Sequence, residues 1–308
     1  MKIGMVGLGL IGGSMALDLR QRGFAESIMG TDSNPEHVRL AKQAGIIQEE
    51  GGLPDLAAAC DLIILATPVD VAPAILLSLL ELVSDKTIIL DVGSTKEHIC
   101  SAVESHPRRK QFVACHPIAG TENTGPSAAH HTLFDNKVNI ICNAADSDAR
   151  AVELAEKLFA TLQMETVHMD ARAHDRHLAF VSHLSHITSF ALGLTVLEIE
   201  KDEKSIFNLA GSGFASTVRL AKSSPAMWAP IFRQNAGHVS EALGAYIEQL
   251  LHFKEAIDAG MATETYDMIT KANQVSRILS GIELKNSQKP AISPAPEDGE
   301  AKIAPMAG

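Results

Sequence analysis

Gly7-Leu8-Gly9-Leu10-Ile11-Gly12 follows a short apolar run at residues 2–6 and opens a segment of helical periodicity. A strand that feeds a glycine turn and then a helix is the signature of a dinucleotide-binding βαβ unit. Gly7 permits the tight turn, Gly9 lets the backbone approach a pyrophosphate, and Gly12 allows helix and strand to pack closely. The helix amino terminus, with Leu10 and Ile11 in its first turn, offers unpaired N–H groups and the positive end of its dipole to phosphate. Asp32 closes a second apolar run, 27–31, about twenty residues further on, where a carboxylate accepts both ribose hydroxyls. Its charge repels a 2′-phosphate, and Ser33-Asn34 provides no arginine to hold one, so the pattern calls for NAD rather than NADP.

Outward from this turn, further apolar or β-branched runs at 62–66, 87–92, 112–115 and 138–142 alternate with amphipathic stretches. Alternating β and α units imply a mostly parallel sheet covered on both faces, an α/β Rossmann-type domain. A helix over 148–162 and a short strand near 165–168 complete it, giving an NAD-binding domain over 1–169. From Ala171 the character changes. Segments 180–197, 206–210, 226–235 and 238–259 read as helix, broken at Gly211-Ser212-Gly213 and Ser223-Ser224-Pro225, so 170–285 is expected to be an all-helical domain. Residues 286–308, rich in proline, alanine and charge, are expected to be a disordered tail.

The 308 residues, 46% of them hydrophobic, can bury a large core in two domains. A net charge of -11 disfavours nucleic acid and anionic membrane as partners, and an anionic substrate therefore needs a locally basic pocket. Cys60, Cys100, Cys115 and Cys142 lack CxxC spacing and sit in or beside apolar runs or predicted helix, as buried reduced thiols of a cytoplasmic protein do. Charged or polar residues interrupt every long apolar run, and the amino terminus reads straight into a strand, so neither export nor a membrane span is expected.

Three segments fall where parallel strands end and ligands collect: Thr67-Pro68, Asp91-Val92-Gly93-Ser94-Thr95-Lys96, and His116-Pro117-Ile118-Ala119-Gly120-Thr121-Glu122. His116 beside a nicotinamide points to proton transfer coupled to hydride transfer. Ser94 reads first as the N-cap of a helix beginning near Lys96, and its hydroxyl could also hold an imidazole, a substrate or the cofactor. His174 with His177, and His183 with His186, each share a helix face. No third ligand stands at supporting spacing, so no metal is expected.

Together GLGLIGGS (7–14), ATPVD (66–70), DVGSTK (91–96), HPIAGTE (116–122), SHLSH (182–186) and GSGFASTVRLAKSSPAMW (211–228) resemble the prephenate dehydrogenase family, in unbroken order over about residues 1–280. Arogenate dehydrogenases share most of these motifs. The resemblance implies NAD-dependent oxidation of the C4 hydroxyl of a cyclohexadienyl ring with loss of the ring carboxylate as CO2, in tyrosine biosynthesis. It implies that His116 accepts the hydroxyl proton, that Ser94 shares the contact, and that Arg219 binds the ring carboxylate through a two-pronged contact. It assigns His186, and less directly His183 and His174, to substrate recognition; Trp228, Thr121 and Glu122 match further substrate-site positions. It also implies a homodimer interlocked through the helical domain. Ala215-Ser216-Thr217-Val218 departs from a segment that often carries a charged pair, the partner of an acidic residue matched here by Glu122.

The residues by themselves leave open an arogenate dehydrogenase, another Rossmann hydroxyacid or imine dehydrogenase, and a cofactor-sensing module. The last two leave His116 or Arg219 without a task.

Overall fold

Strands β1 (Lys2–Val6), β2 (Ser27–Thr31), β3 (Glu49–Glu50), β4 (Leu62–Leu65), β5 (Ile88–Asp91), β6 (Phe112–Pro117), β7 (Val138–Cys142) and β8 (Glu165–Met169) form a sheet in the order β3-β2-β1-β4-β5-β6-β7-β8. Neighbours are parallel except β6 with β7. This computed structural model describes residues 1–203 and 205–287. It divides into two units, Met1–His252 and a second beginning at Phe253.

Helices α1 (Leu10–Gln21), α2 (Pro35–Gln43), α3 (Leu53–Ala59), α4 (Ala72–Leu82), α5 (Glu97–Ala102) and α6 (Ala149–Thr161) fill the connections. Strand side chains alternate between faces, so each strand feeds two cores. Leu62, Ile64, Val113 and Cys115 join α1 and α6 on one face. Ile63, Leu65, Phe112 and Ala114 join α3, α4 and α5 on the other. The very apolar α4 is accounted for in this way, with Leu76, Leu79 and Leu80 buried. Because β2 and β4 flank β1 on opposite sides, the chain reverses its winding there, and a crevice opens beyond the carboxyl ends of β1 and β4.

Two features depart from the sequence expectation in ways that matter for the site. The sixth strand runs two residues beyond Cys115, because antiparallel β7 pairs His116 with Ile140 and Pro117 with Asn139. His116 is thus a strand residue on the same face as Phe112 and Ala114. The two-residue β3 carries only glutamates, and its charge and brevity, which suit a sheet edge, give no apolar alternation to read.

Beyond the sheet, α7 (Ala171–Leu178) begins at Asp170, whose carboxylate accepts the N–H groups of Arg172 and Ala173. It packs Ala171 and Leu178 onto the face that carries Ala114. A π-helical turn, Ala179–His183, joins it to α8 (Leu184–Glu200). Ala171–Glu200 is therefore one 30-residue helix, long and apolar enough by length and composition to cross a bilayer, with 11% of its most apolar window buried. Histidines, serines and threonines do interrupt this run, as the sequence reading has it, but the serines and threonines lower its mean hydropathy little. Val181, Leu194, Leu197 and Ile199 stand exposed on it.

The chain continues through α9 (Ser212–Thr217), a 3₁₀ turn (Arg219–Lys222), α10 (Pro225–Gln234) and α11 (Ala236–Asp258). Proline at the first position of α10 lacks the N–H that a helix start leaves unpaired in any case. The second unit holds the end of α11 together with α12 (Ala262–Ala272) and α13 (Gln274–Ser287). Of the expected tail, Asn286 and Ser287 end α13, and 288–308 lie outside the described residues. All four cysteines are buried and unpaired. Burial pushes the Cys60 thiol up to about 11 and Cys100 up to about 12, so both stay protonated and unreactive at neutral pH.

Candidate active site

The glycine turn has the shape a dinucleotide needs. Gly7 adopts φ +95°, and a Cβ there would lie 2.4 Å from the Ala66 carbonyl oxygen. A Cβ on Gly12 would meet the Gly7 carbonyl oxygen at 2.1 Å, so only glycine lets α1 sit this close to β1. Gly9 has open space where its side chain would be, and no side chain caps α1, which leaves that helix end to a ligand. Leu10 is buried and Ile11 half-buried in its first turn. Asp32 accepts the Leu8 N–H at 2.9 Å and the Asn34 N–H at 2.9 Å, which ties the second strand end to the turn. Arg39, near Asp32, escaped the sequence reading; Glu36 holds it through two hydrogen bonds of 2.7 and 2.5 Å. It is thereby engaged, in keeping with NAD over its 2′-phosphorylated form. At the end of β4 the Thr67 hydroxyl is buried without a partner, while Pro68 is exposed. An orphaned polar group at a crevice fits a ligand oxygen or amide.

His116, near the carboxyl end of β6, is buried on the sheet face that α7 covers. Its Nδ1 is 2.8 Å from Nε2 of His174, and Nδ1 of His174 is 2.7 Å from Oδ1 of Asp175. Burial, and then the neighbouring His174, Lys96 and His183, push the His116 pKa well below the usual histidine value. His174 is fully buried, which corrects the alternative of an exposed helix face for it; His177 is exposed.

Ser94 is half-buried in the loop between β5 and α5 and does not cap that helix. Its expected capping role belongs to Asp175, whose carboxylate accepts the N–H groups of Lys96 at 2.8 Å and Glu97 at 2.9 Å. A cap supplied from 79 residues away has no local signature. Lys96, also missed, is wholly buried in an ion pair with Asp91. Burial works against its charge, but the adjacent carboxylate outweighs this and holds the lysine pKa up.

A second cluster comes from the π turn, α8 and α10. His183 is buried, and its Nδ1 lies 3.1 Å from Nδ2 of Asn235, which also donates to the Asp175 carbonyl at 2.7 Å. Burial lowers its pKa to about 4. His186 stacks on Trp228 with ring centroids 3.5 Å apart, and its Nδ1 donates to the Ser182 carbonyl at 3.0 Å. Burial and the Arg219 charge both lower its pKa. The Trp228 N–H is buried without an acceptor, and Arg219 is exposed with no carboxylate partner among the described residues. A free cation and an orphaned donor suit a carboxylate, while the remaining His186 nitrogen, an acceptor, suits a ligand hydroxyl. Gln234 links α10 to the strand ends, donating to the Val69 carbonyl at 2.6 Å and accepting from Thr95 at 2.6 Å.

Thr121 and Glu122 lie exposed on the loop after β6, where the Thr121 hydroxyl accepts the Asn123 N–H. No hydrogen bond or ion pair links Glu122 to residues 215–218.

Family models match nearly the whole described chain: the prephenate dehydrogenase nucleotide-binding domain over residues 15–168 and the prephenate dehydrogenase dimerization domain over 170–272. The chain belongs to the prephenate dehydrogenase family. It is 31% identical over 253 residues to a prephenate dehydrogenase of Bacillus subtilis, covering 80% of this chain and 67% of that one. Similarity to a cyclohexadienyl dehydrogenase of Zymomonas mobilis is 28% over 258 residues, covering 83% and 88%. Among solved structures, a prephenate dehydrogenase of A. aeolicus in complex with hydroxyphenyl propionate and NAD+ superposes with a TM-score of 0.84 at 31% identity, covering 90% of this chain and 97% of that one. An arogenate dehydrogenase of Synechocystis gives 0.72 at 26%, covering 91% and 100%. The Rossmann-type domain followed by a helical domain is the architecture these matches share, and the family makes the chain an NAD-dependent oxidoreductase.

Proposed function

We propose that this protein catalyses the NAD-dependent oxidative decarboxylation of prephenate to 4-hydroxyphenylpyruvate and CO2. The observation that carries this is His116: a buried imidazole, uncharged at neutral pH, within the unit that holds both the dinucleotide cradle and an unpaired arginine. The similarity to a protein solved with NAD+ and hydroxyphenyl propionate supports it.

Bound NAD supplies the acceptor for the hydride that leaves C4. His116 takes the C4 hydroxyl proton, with the Ser94 hydroxyl holding the same oxygen. As the bond from C1 to its carboxylate breaks, its electron pair enters the ring and displaces a pair onto the C4 oxygen, which takes the proton back from His116; the ring becomes aromatic and CO2 departs. The ring carboxylate is held by Arg219, with His186, His183 and the Trp228 N–H lining the same pocket. Thr121 and Glu122 lie on the loop that would close over the ring. Gly7, Gly9, Leu10, Ile11 and Gly12 cradle the pyrophosphate, Asp32 the ribose, and Thr67, Pro68 and Ser94 the nicotinamide half.

Arg219→Gln is expected to raise the prephenate KM by roughly tenfold or more and to lower kcat less, since the arginine contacts the carboxylate before and during reaction. An unaltered KM, measured by NADH absorbance, would assign Arg219 to the surface. The substrate class itself is tested by assaying NAD reduction with prephenate, arogenate and a simple 2-hydroxy acid. Reduction with the hydroxy acid alone would overturn the proposal. Activity with arogenate alone would move it to the related reaction that forms tyrosine directly.

The assignment of 1–169 to cofactor binding and 170–285 to substrate binding and dimerisation draws support from the matched boundaries. The exposed Leu194, Leu197, Ile247, Leu250 and Leu251, and the dimerization domain that the family model describes, support a homodimer; four buried, unpaired thiols are in keeping with a reducing cytoplasm. Sedimentation equilibrium should give twice the chain mass. A monomer at micromolar concentration would contradict that.

A further inference from the structure

We propose that His174 is a positioning residue that holds His116 in one tautomer, protonated on Nδ1 and with the lone pair on Nε2, and that Asp175 anchors this arrangement. The inference deepens the proposed function and rests on His116 as the proton acceptor.

The chain of bonds has a fixed polarity because its far end can only accept. Asp175 Oδ1 receives the Lys96 N–H and Oδ2 the Glu97 N–H. Backbone amides cannot reverse their role, so the carboxylate is the acceptor in both contacts. Burial alone would raise the Asp175 pKa, but the bonds from His174, Glu97 and Lys96 outweigh it and keep the group below the usual carboxylate range. Nδ1 of His174, 2.7 Å from that carboxylate, must then carry hydrogen. Burial keeps the His174 ring neutral despite Asp175, so its Nε2 holds a lone pair. His116 Nδ1, 2.8 Å away, is left only the role of donor. The remaining nitrogen of His116, Nε2, is an acceptor, as a group that removes a hydroxyl proton must be.

The same register extends to His183. Nδ2 of Asn235 donates to the Asp175 carbonyl and to Nδ1 of His183, so the neutral His183 carries its hydrogen on Nε2. The two rings thus present opposite polarity, one lone pair and one N–H. Charged and titratable groups around His116 are Lys96, paired with Asp91, on the β5 side, His174 and Asp175 on α7, and His183 on the π turn. Among the described residues, only Asp175 brings negative charge to His116 through a path of side-chain hydrogen bonds. When Nε2 takes a proton, that path stabilises the imidazolium, as a buried carboxylate does for a catalytic histidine elsewhere.

The test combines a spectroscopic readout with kinetics. In the ¹⁵N-histidine-labelled protein without ligands, near neutral pH, two-bond ¹H–¹⁵N correlation should show His116 protonated on Nδ1 and bare on Nε2, its signals assigned by their loss in His116→Asn. His174→Leu should convert His116 to a mixture of tautomers, lower kcat by about 10²-fold, and move the acid limb of kcat/KM, with prephenate KM little changed. His174→Gln, whose amide oxygen can accept from Nδ1, should recover at least about tenfold of that loss. A native His116 protonated on Nε2, or a folded His174→Leu protein with kcat within about threefold of wild type and an unmoved pH profile, would overturn the proposal. Should His174→Leu fail to fold, the native spectrum and His174→Gln decide. A wild-type protein that reduces no NAD with either cyclohexadienyl substrate would sink the functional reading while leaving the tautomer measurement intact.

Discussion

His116→Asn is expected to lower kcat by about 10²–10⁴-fold while NAD affinity stays within a few-fold of wild type. Asparagine keeps one hydrogen-bonding edge of the imidazole in a smaller side chain but cannot take a proton at accessible pH. The pyrophosphate and ribose are held by the turn after β1 and by Asp32, and the His116 side chain hydrogen-bonds His174 instead, so binding survives. The pH profile carries the same information. A base must be neutral to act, and activity falls as pH drops through its pKa. With that pKa held well below 6.5 by burial, His174, Lys96 and His183, kcat/KM should stay level from neutrality down past pH 6.5. An acid limb at or above 6.5, or unchanged turnover in the variant, would remove His116 from the role of base.

Asp91→Ala should destabilise the fold by about 3–5 kcal/mol, because it leaves the Lys96 ammonium in a site with no solvent exposure and no counter-charge. Asp91 also accepts the Gly93 N–H at 3.0 Å, so the loop that carries Ser94 loosens with it. Exchanging both partners, Asp91→Leu with Lys96→Met, should cost less than the single change, since no charge is then stranded. Urea unfolding of the three proteins measures this directly. A single-variant loss below about 1 kcal/mol would show that water reaches the pair and that it contributes little. The pair bears on catalysis as well, for Lys96 is among the charges that disfavour imidazolium at His116.

The cofactor half of the site was legible because it is local. Gly7, Gly9, Gly12 and Asp32 sit in one βαβ unit, and each residue type answers a steric or electrostatic demand made within it. His116 was legible as a titratable group at a strand end. What escaped reading is what tertiary packing supplies. Nothing near Ser94 in the chain hints that α5 is capped from α7, and nothing near His116 hints that the antiparallel return of β7 lengthens its strand. The AHD sequence at 173–175 carries the signal for the buried histidine, but helical spacing pairs His174 with His177, whereas the hydrogen bond joins His174 to its own neighbour Asp175. Nothing in the sequence marks Lys96 as buried, because its counter-charge Asp91 is brought to it by the turn of the loop and lysines seldom lie inside.

The most direct test of the central claim is a stoichiometric one: purified protein, NAD and prephenate carrying ¹³C in the ring carboxylate, followed together by NADH absorbance and NMR. The account predicts one NADH, one labelled CO2 and one 4-hydroxyphenylpyruvate for each prephenate consumed, with all three lost together in His116→Asn. NADH formed without release of labelled CO2, or no NADH from prephenate at all, would contradict it.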